Sequence, residues 1–242
     1  MNFRAGIIML AFVMKKTITI ETEGLFQMDI RGAFFGDVSI KARYLARVKV
    51  HVAADAIIQG AGWEGGKGCA IGCTFEDYDH SKYESELNVP TAVARLEDVI
   101  FEGLPNSEAQ KLPVGWLEAI PVGSDQSLTH WKFLHWLLLD LAEKPYAQNG
   151  KQVVLNAAHV IEPATHGDTI DEAAARAADV VDAASTARAA AEAADAAAAV
   201  AADRAWHVGI AGDAAKAEYR RYRDKMLELM KAAPVAAKQK GV

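Results

Sequence analysis

Residues 173–205 read AAARAADVVDAASTARAAAEAADAAAAVAADRA, and one seven-residue register runs through this stretch and on to residue 233. None of the eighteen charged side chains between 173 and 233 falls on the two inner positions of that register. An uncharged seam at heptad spacing is typical of a helix that packs against another helix. The sequence therefore predicts a helix-pairing segment, with a seam formed by Ala177, Val180, Ala184, Ala187, Ala191, Ala194, Ala198, Ala201, Ala205, Val208, Tyr219, Tyr222, Met226 and Leu229.

Charge divides this segment into two complementary parts. Residues 171–203 contain seven acidic and two basic residues, whereas residues 204–242 contain nine basic and four acidic residues. This pattern suits a helix folded back on itself or two copies running antiparallel, and it also matches the dipole of one long helix. We therefore expect either an antiparallel helical hairpin or a long helix, and the second arrangement would support a homo-oligomer.

The residues before position 150 are expected to form the true core, since they contain four of the five tryptophans and all eight phenylalanines. We predict an α+β fold that is predominantly α. Alternating residues at Thr17–Thr22 and an extended run at Leu25–Ile30 predict an N-terminal β-hairpin. The predicted division is a mixed α+β core at 1–145, a linker at 146–170, the alanine-rich heptad helix or hairpin at 171–233 and a flexible tail at 234–242.

Helices are predicted from periodicity and from their end signals. Asp37 or Ser39 can cap a helix that runs to about Ile58. Pro90 at the start and Gly103 just past the end bound another helix. Further helices are expected at 81–87, 108–119 and 127–141, and the last is apolar almost all round and so predicted to be central to the core. The predicted buried face of the first helix comprises Tyr44, Leu45, Val48, Val52 and Ala56, and a strand is considered at Gln152–Leu155.

The densest candidate for chemistry is the glycine-rich stretch at 60–74, which is predicted to be a loop. It departs from a phosphate-binding loop twice, because residue 61 is alanine and Lys67 is followed by Gly68 rather than by a hydroxyl residue. Cys69, Cys73 and His80 are candidate zinc ligands or, alternatively, a cysteine nucleophile with a histidine base. The alternative for the cysteines is burial as small side chains beside turn glycines. No cofactor is predicted, and zinc stays an alternative.

Composition bounds the partners and the compartment. Two cysteines are too few for a disulfide framework, which favours a cytoplasmic protein. The net charge of −6 argues against general nucleic-acid binding. No stretch approaches the ~20 apolar residues of a membrane span, so no membrane partner is expected. These observations favour a protein as the binding partner.

Several short motifs between about residues 37 and 140 resemble a family of uncharacterised proteins from bacteriophages and prophage-like regions. The motifs are Gly68-Cys69-Ala70-Ile71-Gly72-Cys73-Thr74, His80 with Tyr83-Glu84, Ala94-Arg95-Leu96-Glu97-Asp98, Ile100-Phe101-Glu102-Gly103-Leu104-Pro105 and Ala119-Ile120-Pro121-Val122-Gly123. The resemblance implies an origin in a mobile element and alanine-rich C-terminal tails. It implies no catalytic residues.

Together these observations predict a phage or mobile-element accessory protein in the cytoplasm of a bacterial host. It is expected to act by binding a host protein or complex, as an anti-CRISPR or related counter-defence inhibitor does. One alternative is a metal- or cysteine-dependent enzyme built on the glycine and cysteine loop with His80. A second alternative is a structural protein that oligomerises through its alanine-rich helix.

Overall fold

A computed structural model describes residues 29–144, 151–168 and 211–235. The chain is predominantly helical with one small antiparallel sheet, which confirms the predicted α+β, mostly α class. It divides into two compact units. Of the described residues, the first unit contains 29–129 and 222–235, and the second contains 130–144, 151–168 and 211–221.

The first unit holds most of the secondary structure. Two-residue strands β1 and β2 form an antiparallel hairpin in which Trp63 is opposite Gly68 and Glu64 is opposite Lys67. A short 3-10 turn at Ala33–Gly36 precedes the first helix. The elements are α1 (Val38–Ala53), β1 (Trp63–Glu64), β2 (Lys67–Gly68), α2 (Ala70–Phe75), α3 (Lys82–Leu87), α4 (Thr91–Gly103), α5 (Asn106–Ala109) and α6 (Leu112–Ala119).

Three further helices follow in the described residues. They are α7 (Thr129–Ala142), α8 (Lys151–Ile161) and α9 (Ala211–Ala232), and a 3-10 turn at Pro163–His166 follows α8. In the second unit, Arg221 forms an ion pair with Asp140, and Lys144 pairs with Glu218 at 3.1 Å. These pairs link the end of α7 to the first part of α9.

The core of the first unit lies where α2 and α4 pack together. α2 also contacts α1 and α6, so it lies at the middle of the unit. Its six residues are all buried. The largest fully buried side chains of the first unit are Phe34, Tyr44, Ile57, Ile71, Tyr83, Leu87, Leu96, Ile100, Phe101 and Trp116. These side chains supply the apolar area that the alanine-rich stretch lacks.

Buried polar groups fix the connections in this unit. Asn88 ends α3 in the left-handed conformation with φ of 51°. Its side-chain amide donates to the Gly32 carbonyl at 2.8 Å, and its oxygen accepts from the Asp29 amide at 2.9 Å. Gly32 itself has φ of +70°, and a Cβ there would lie 2.3 Å from the Gly123 carbonyl oxygen. Residue 32 must therefore be glycine for this close approach.

The end signals in the sequence locate the main helices well. The Asp37 carboxylate accepts a hydrogen bond from the Ser39 amide at 2.7 Å and so caps α1. α4 begins after Pro90 and ends at Gly103, as predicted. The predicted helix at 108–119 is instead two helices, because Pro113 lies in the first turn of a new helix, α6.

Other predictions about the helices were wrong in detail. α1 ends at Ala53 rather than near Ile58, because Asp55 adopts a left-handed conformation with φ of 49°. Val52 was predicted to be buried but is 40% exposed. Leu139 is 42% exposed, so α7 is not apolar core on every side. The strand considered at Gln152–Leu155 is part of helix α8, which lies inside the predicted linker.

Several predictions concern residues that the structure does not describe. The N-terminal hairpin at 17–30 lies almost wholly outside the described residues, as does the tail at 236–242. The seam residues Ala177–Val208 also lie outside them. The predicted linear division into core, linker and helix stays a prediction. Among the described residues, no helix combines the length and the apolarity that a bilayer crossing requires.

Candidate functional site

The glycine-rich stretch is an ordered hairpin that runs into a helix, not a loop through residue 74. The Gly68 amide donates to the Ala56 carbonyl at 3.0 Å, and the Ile58 amide donates to the Gly68 carbonyl at 2.9 Å. A Cβ at Gly68 or at Gly72 would lie 2.1 or 2.0 Å from the Gly62 carbonyl oxygen. The glycines at these two positions therefore permit close backbone packing.

Both cysteines lie inside this packing. Cys69 and Cys73 are 1% and 0% exposed. The Cys73 thiol donates to the carbonyl oxygens of Gly68 at 3.4 Å and Ala56 at 3.6 Å. Burial raises the pKa of Cys69 to about 12 and that of Cys73 to about 11. Both side chains are thus thiols at neutral pH, whereas a cysteine nucleophile must be a thiolate.

Asp98 on α4 is the point where several polar side chains converge. The Tyr78 hydroxyl donates to Asp98 Oδ2 at 2.8 Å, and His80 Nε2 lies 3.2 Å from the same oxygen. The Cys69 thiol also interacts with this carboxylate and helps to lower its pKa. Burial opposes ionisation of Asp98, but these hydrogen bonds outweigh it and lower its pKa. We call Cys69, Tyr78, His80 and Asp98 the Asp98 cluster.

The carboxyl group of the neighbouring residue Glu97 is in the opposite protonation state. It is fully buried, and its carboxyl oxygen Oε2 accepts a hydrogen bond from the Tyr83 hydroxyl. Its other oxygen, Oε1, has no hydrogen-bond partner among the residues that the structure describes. Burial raises the pKa of Glu97 to about 8. Two successive carboxyl groups on α4 therefore differ at neutral pH, because Asp98 is ionised and Glu97 is mostly protonated.

The glycine-rich stretch is also anchored to the end of α4. The Gln59 side-chain amide donates to the carbonyl oxygens of Phe101 at 2.7 Å and Leu104 at 2.9 Å. The Glu102 carboxylate accepts from the Gly60 amide at 3.0 and 3.1 Å. The Gln59 bonds add donors to the carbonyl oxygens at the end of the helix. The Asp98 cluster thus belongs to a network that holds the hairpin on α4.

The structure brings only part of the predicted catalytic or metal set together. Cys69 and His80 both contact Asp98, while Cys73 donates to backbone carbonyls. Over the ranges 29–144, 151–168 and 211–235, no group of three or more His, Cys, Asp and Glu side chains is arranged to hold a metal ion. Sequence reasoning did not identify Tyr78 and Asp98 as partners of His80, because their convergence depends on how α4 packs.

A different feature lies on α1, whose solvent side exposes several apolar side chains. Val38 and Val50 are 71% and 66% exposed, and the three alanines Ala42, Ala46 and Ala53 between and beside them are also exposed. At 100° per residue these five positions share one side of the helix. We call them the α1 face. Exposed apolar side chains grouped on one surface are typical of an interaction site.

The charges of α1 all have one sign. Residues 38–53 include four basic residues and no acidic residue. Two of them serve the fold, because Lys41 donates to the Ile120 carbonyl at 2.6 Å and Arg47 donates to the Thr74 carbonyl at 2.9 Å. Arg43 and Lys49 are exposed on the solvent side of the helix.

A groove adjoins the end of the α1 face. It lies between α1 and α6, and Val52, Val114 and Gly115 supply its apolar lining. Lys49, Lys111 and Glu118 also line this groove, and all three are exposed. The Lys49 and Glu118 side chains form an ion pair of 3.2 Å in which both are more than half exposed. The first unit therefore offers exposed apolar side chains on α1 next to a groove whose rim carries charges of both signs.

The C-terminal part of the predicted seam lies within the described residues. Tyr222 and Met226 are buried, whereas Tyr219 and Leu229 are only half-buried. The third buried residue of this part of α9 is Met230, whose carbonyl accepts a hydrogen bond from the Gln126 side chain at 3.1 Å. In the first unit, α9 thus buries side chains at a spacing of four residues. The pairing role of the whole seam stays a prediction.

Comparisons with known proteins give no relative for this chain. No family model, no curated protein and no solved structure matches it.

Proposed function

We propose that this chain acts by binding another protein and that the α1 face is its contact surface. The observation that carries the proposal is the exposed apolar side of α1, with Val38 and Val50 at 71% and 66% exposure. Large apolar side chains that remain in water on one helix face favour association, since their burial releases about 25 cal/mol for each Å² removed from water.

The biological setting is proposed from the sequence resemblance. We propose an accessory protein of a phage or other mobile element that inhibits a host defence complex, in the manner of an anti-CRISPR or related counter-defence protein. Its place of action would be the cytoplasm of the bacterial host. The motifs at 68–74 and 94–98 support the resemblance, and the α1 face supports the mode of action.

The enzyme alternative has one supporting observation, the contact between His80 and the ionised Asp98. A histidine oriented by a carboxylate is the usual arrangement of a general base. The buried, protonated thiols of Cys69 and Cys73 give no support to a cysteine-based reaction. Elemental analysis of the purified chain and of its Cys69→Ser and Cys73→Ser variants tests the zinc version, which predicts a stoichiometric metal that both variants lose.

The test of protein binding uses the full chain, because Tyr222, Met226 and Met230 near its C-terminus belong to the core. Tagged protein is expressed in the bacterial host, and each captured complex is purified and titrated with untagged protein. We expect a complex with measurable affinity and loss of that complex's activity on binding. Absence of any partner, together with turnover of a nucleotide or nucleic acid by the purified chain, would contradict the proposal.

A further inference from the structure

The chain contains a strained turn just before helix α1. Phe34 and Phe35 have φ of 56° and 51° and ψ of 25° and 27°, and Gly36 follows with φ of 70°. The backbone is thus left-handed at three successive residues, two of which are phenylalanines. Independently of the proposed function, we propose that residues 29–36, which we call the strap, open together while the rest of the first unit stays folded.

The left-handed conformation of the two phenylalanines does not end a helix. Among the described residues, the other non-glycine residues with positive φ are Asp55, Glu76 and Asn88. Each of them lies just beyond the end of a helix, where a single left-handed residue is common. Phe34 and Phe35 precede a helix instead, and phenylalanine has no polar side-chain group that could stabilise this conformation locally. The pair therefore stores conformational strain in the strap.

Hydrogen bonds at the start of the strap help to hold it closed. The Ala33 amide donates to the Ser124 carbonyl, and the Gly123 amide donates to the Ala33 carbonyl, both at 2.8 Å. The Asn88 side chain adds the hydrogen bonds described above. These bonds join the strap to the segments that follow α3 and α6. Strain persists in a folded chain only where surrounding contacts of this kind impose the conformation.

Burial of one aromatic ring also favours the closed strap. Phe34 is fully buried, and Lys41 Nζ lies 5.6 Å from the centroid of its ring. Phe35 is only half-buried, and the Arg31 guanidinium lies 5.2 Å from the centroid of that ring. The strain of two left-handed residues is of the same order as the gain from burying one phenylalanine side chain. Strain thus offsets much of that gain, so opening the strap should cost less free energy than unfolding the unit.

Opening of the strap would uncover surface on two helices. The turn at Ala33–Gly36 packs against α1 and α3. The core around α2 and α4 is built from elements outside the strap, so it can persist when the strap opens. Segments that move during binding and regulation are drawn from such low-stability parts of a fold. The strap is therefore a conformational device that controls access to the surface it covers.

Native-state hydrogen exchange of the full chain, followed by NMR, tests the opening. The Ala33 and Gly123 amides report it, because the strap supplies the donor of one hydrogen bond and the acceptor of the other. The Cys73 amide donates to the Cys69 carbonyl in the buried helix α2 and is the reference for unfolding of the unit. After correction for intrinsic rates, we expect the two strap amides to exchange at one common rate, about tenfold or more faster than the Cys73 amide.

Matched variants test the strain itself. Phe35→Gly and Phe35→Ala both remove the half-buried ring and its contact with Arg31, but only glycine relieves the left-handed strain. The two strap amides should therefore exchange about fivefold more slowly in Phe35→Gly than in Phe35→Ala, since alanine is disfavoured where φ is positive. Gly36→Ala adds a side chain at φ of 70°, so it should speed their exchange about fivefold relative to the wild type.

Three outcomes would overturn the proposal. If the strap amides of the wild type exchange no faster than the Cys73 amide, the strap opens only when the unit unfolds. If the Ala33 and Gly123 amides differ in rate, the segment frays and does not open together. Equal exchange in Phe35→Gly and Phe35→Ala would show that no strain is released. The wild-type measurement needs no variant and no partner, so it decides the matter even if a variant fails to fold or the proposed protein binding is wrong.

Discussion

Helices α1 and α4 depart from the usual amphipathic pattern in opposite ways. α4 is buried on most of its surface and still carries a carboxyl group, Glu97, at 0% exposure. α1 lies at the surface and still exposes Val38 and Val50. A buried polar group costs free energy on folding, whereas an apolar group left in water forgoes the gain that burial would give. The comparison teaches that the cost on α4 falls on folding, whereas the apolar area of α1 stays available for the association proposed above.

The two helices should differ most in how far truncation of an apolar side chain lowers the free energy of unfolding. Ile100→Ala on α4 removes a side chain at 0% exposure, so it should lower the free energy of unfolding by about 2–5 kcal/mol. Val50→Ala on α1 should change it by less than about 0.5 kcal/mol, since Val50 is 66% exposed. Denaturant titration of both variants measures the difference. Equal losses would show that the α1 face is covered in solution.

The buried carboxyl group on α4 predicts a dependence of stability on pH. Burial raises the pKa of Glu97 from 4.5 to about 8 in the folded chain. Between these values the folded state keeps a proton that the unfolded state has lost, so this group's contribution makes stability fall as pH rises. The slope is about 1.4 kcal/mol per pH unit, and it vanishes below the lower pKa and above the higher one.

Glu97→Gln removes this titration and keeps the shape of the side chain. Between pH 5 and 7 the wild type should therefore lose about 2–3 kcal/mol relative to the variant, as measured by denaturant titration at each pH. Glu228→Gln is the matched control, because the Glu228 side chain is 65% exposed. Parallel stability profiles for the wild type and Glu97→Gln would contradict a raised pKa at Glu97.

Helix α4 also shows how far sequence reasoning reaches. Its bounds follow from Pro90 and Gly103, which are local signals. The burial of Glu97 has a sequence signal as well, since it lies in helical phase with Val93, Ile100 and Phe101, all of them buried. The convergence of Tyr78 and His80 on Asp98 has no such signal. It depends on how the hairpin and α4 pack, and spacing along the chain does not encode that packing.

The exposed α1 face was not predicted from the sequence, and the reason is different. The helix has apolar residues on two sides, and the sequence prediction assigned Val52 to the buried side with Tyr44 and Val48. Periodicity identifies an apolar stripe but does not determine which of two stripes faces the core. Tertiary packing decides this, and it leaves Val38, Val50 and Val52 in solvent.

Substitution of a glycine in the helix next to α4 and of one in the helix next to α1 should change the free energy of unfolding by smaller amounts and in opposite directions. Gly72 lies in α2 beside α4, and a Cβ there would lie 2.0 Å from the Gly62 carbonyl oxygen. Gly72→Ala should therefore destabilise the chain by about 1–3 kcal/mol. Gly115 lies in α6 beside α1, and a Cβ there would meet no atom of another described element within 4 Å, so Gly115→Ala should stabilise the chain by about 0.5–1 kcal/mol. Thermal melts should show a lower melting temperature for Gly72→Ala and a higher one for Gly115→Ala. A shift in the same direction for both variants would contradict this account of the packing.

The smallest expected effect concerns the ion pair at the edge of the α1 face. Lys49 Nζ lies 3.2 Å from Glu118 Oε1, and the two side chains are 57% and 52% exposed. A double-mutant cycle with Lys49→Ala and Glu118→Ala should give a coupling free energy of about 0.2–1 kcal/mol, falling as salt is added. A coupling well above that range, or one insensitive to salt, would mean that the pair holds α1 and α6 together. Weak coupling would instead mean that the pair contributes little to holding α1 against α6.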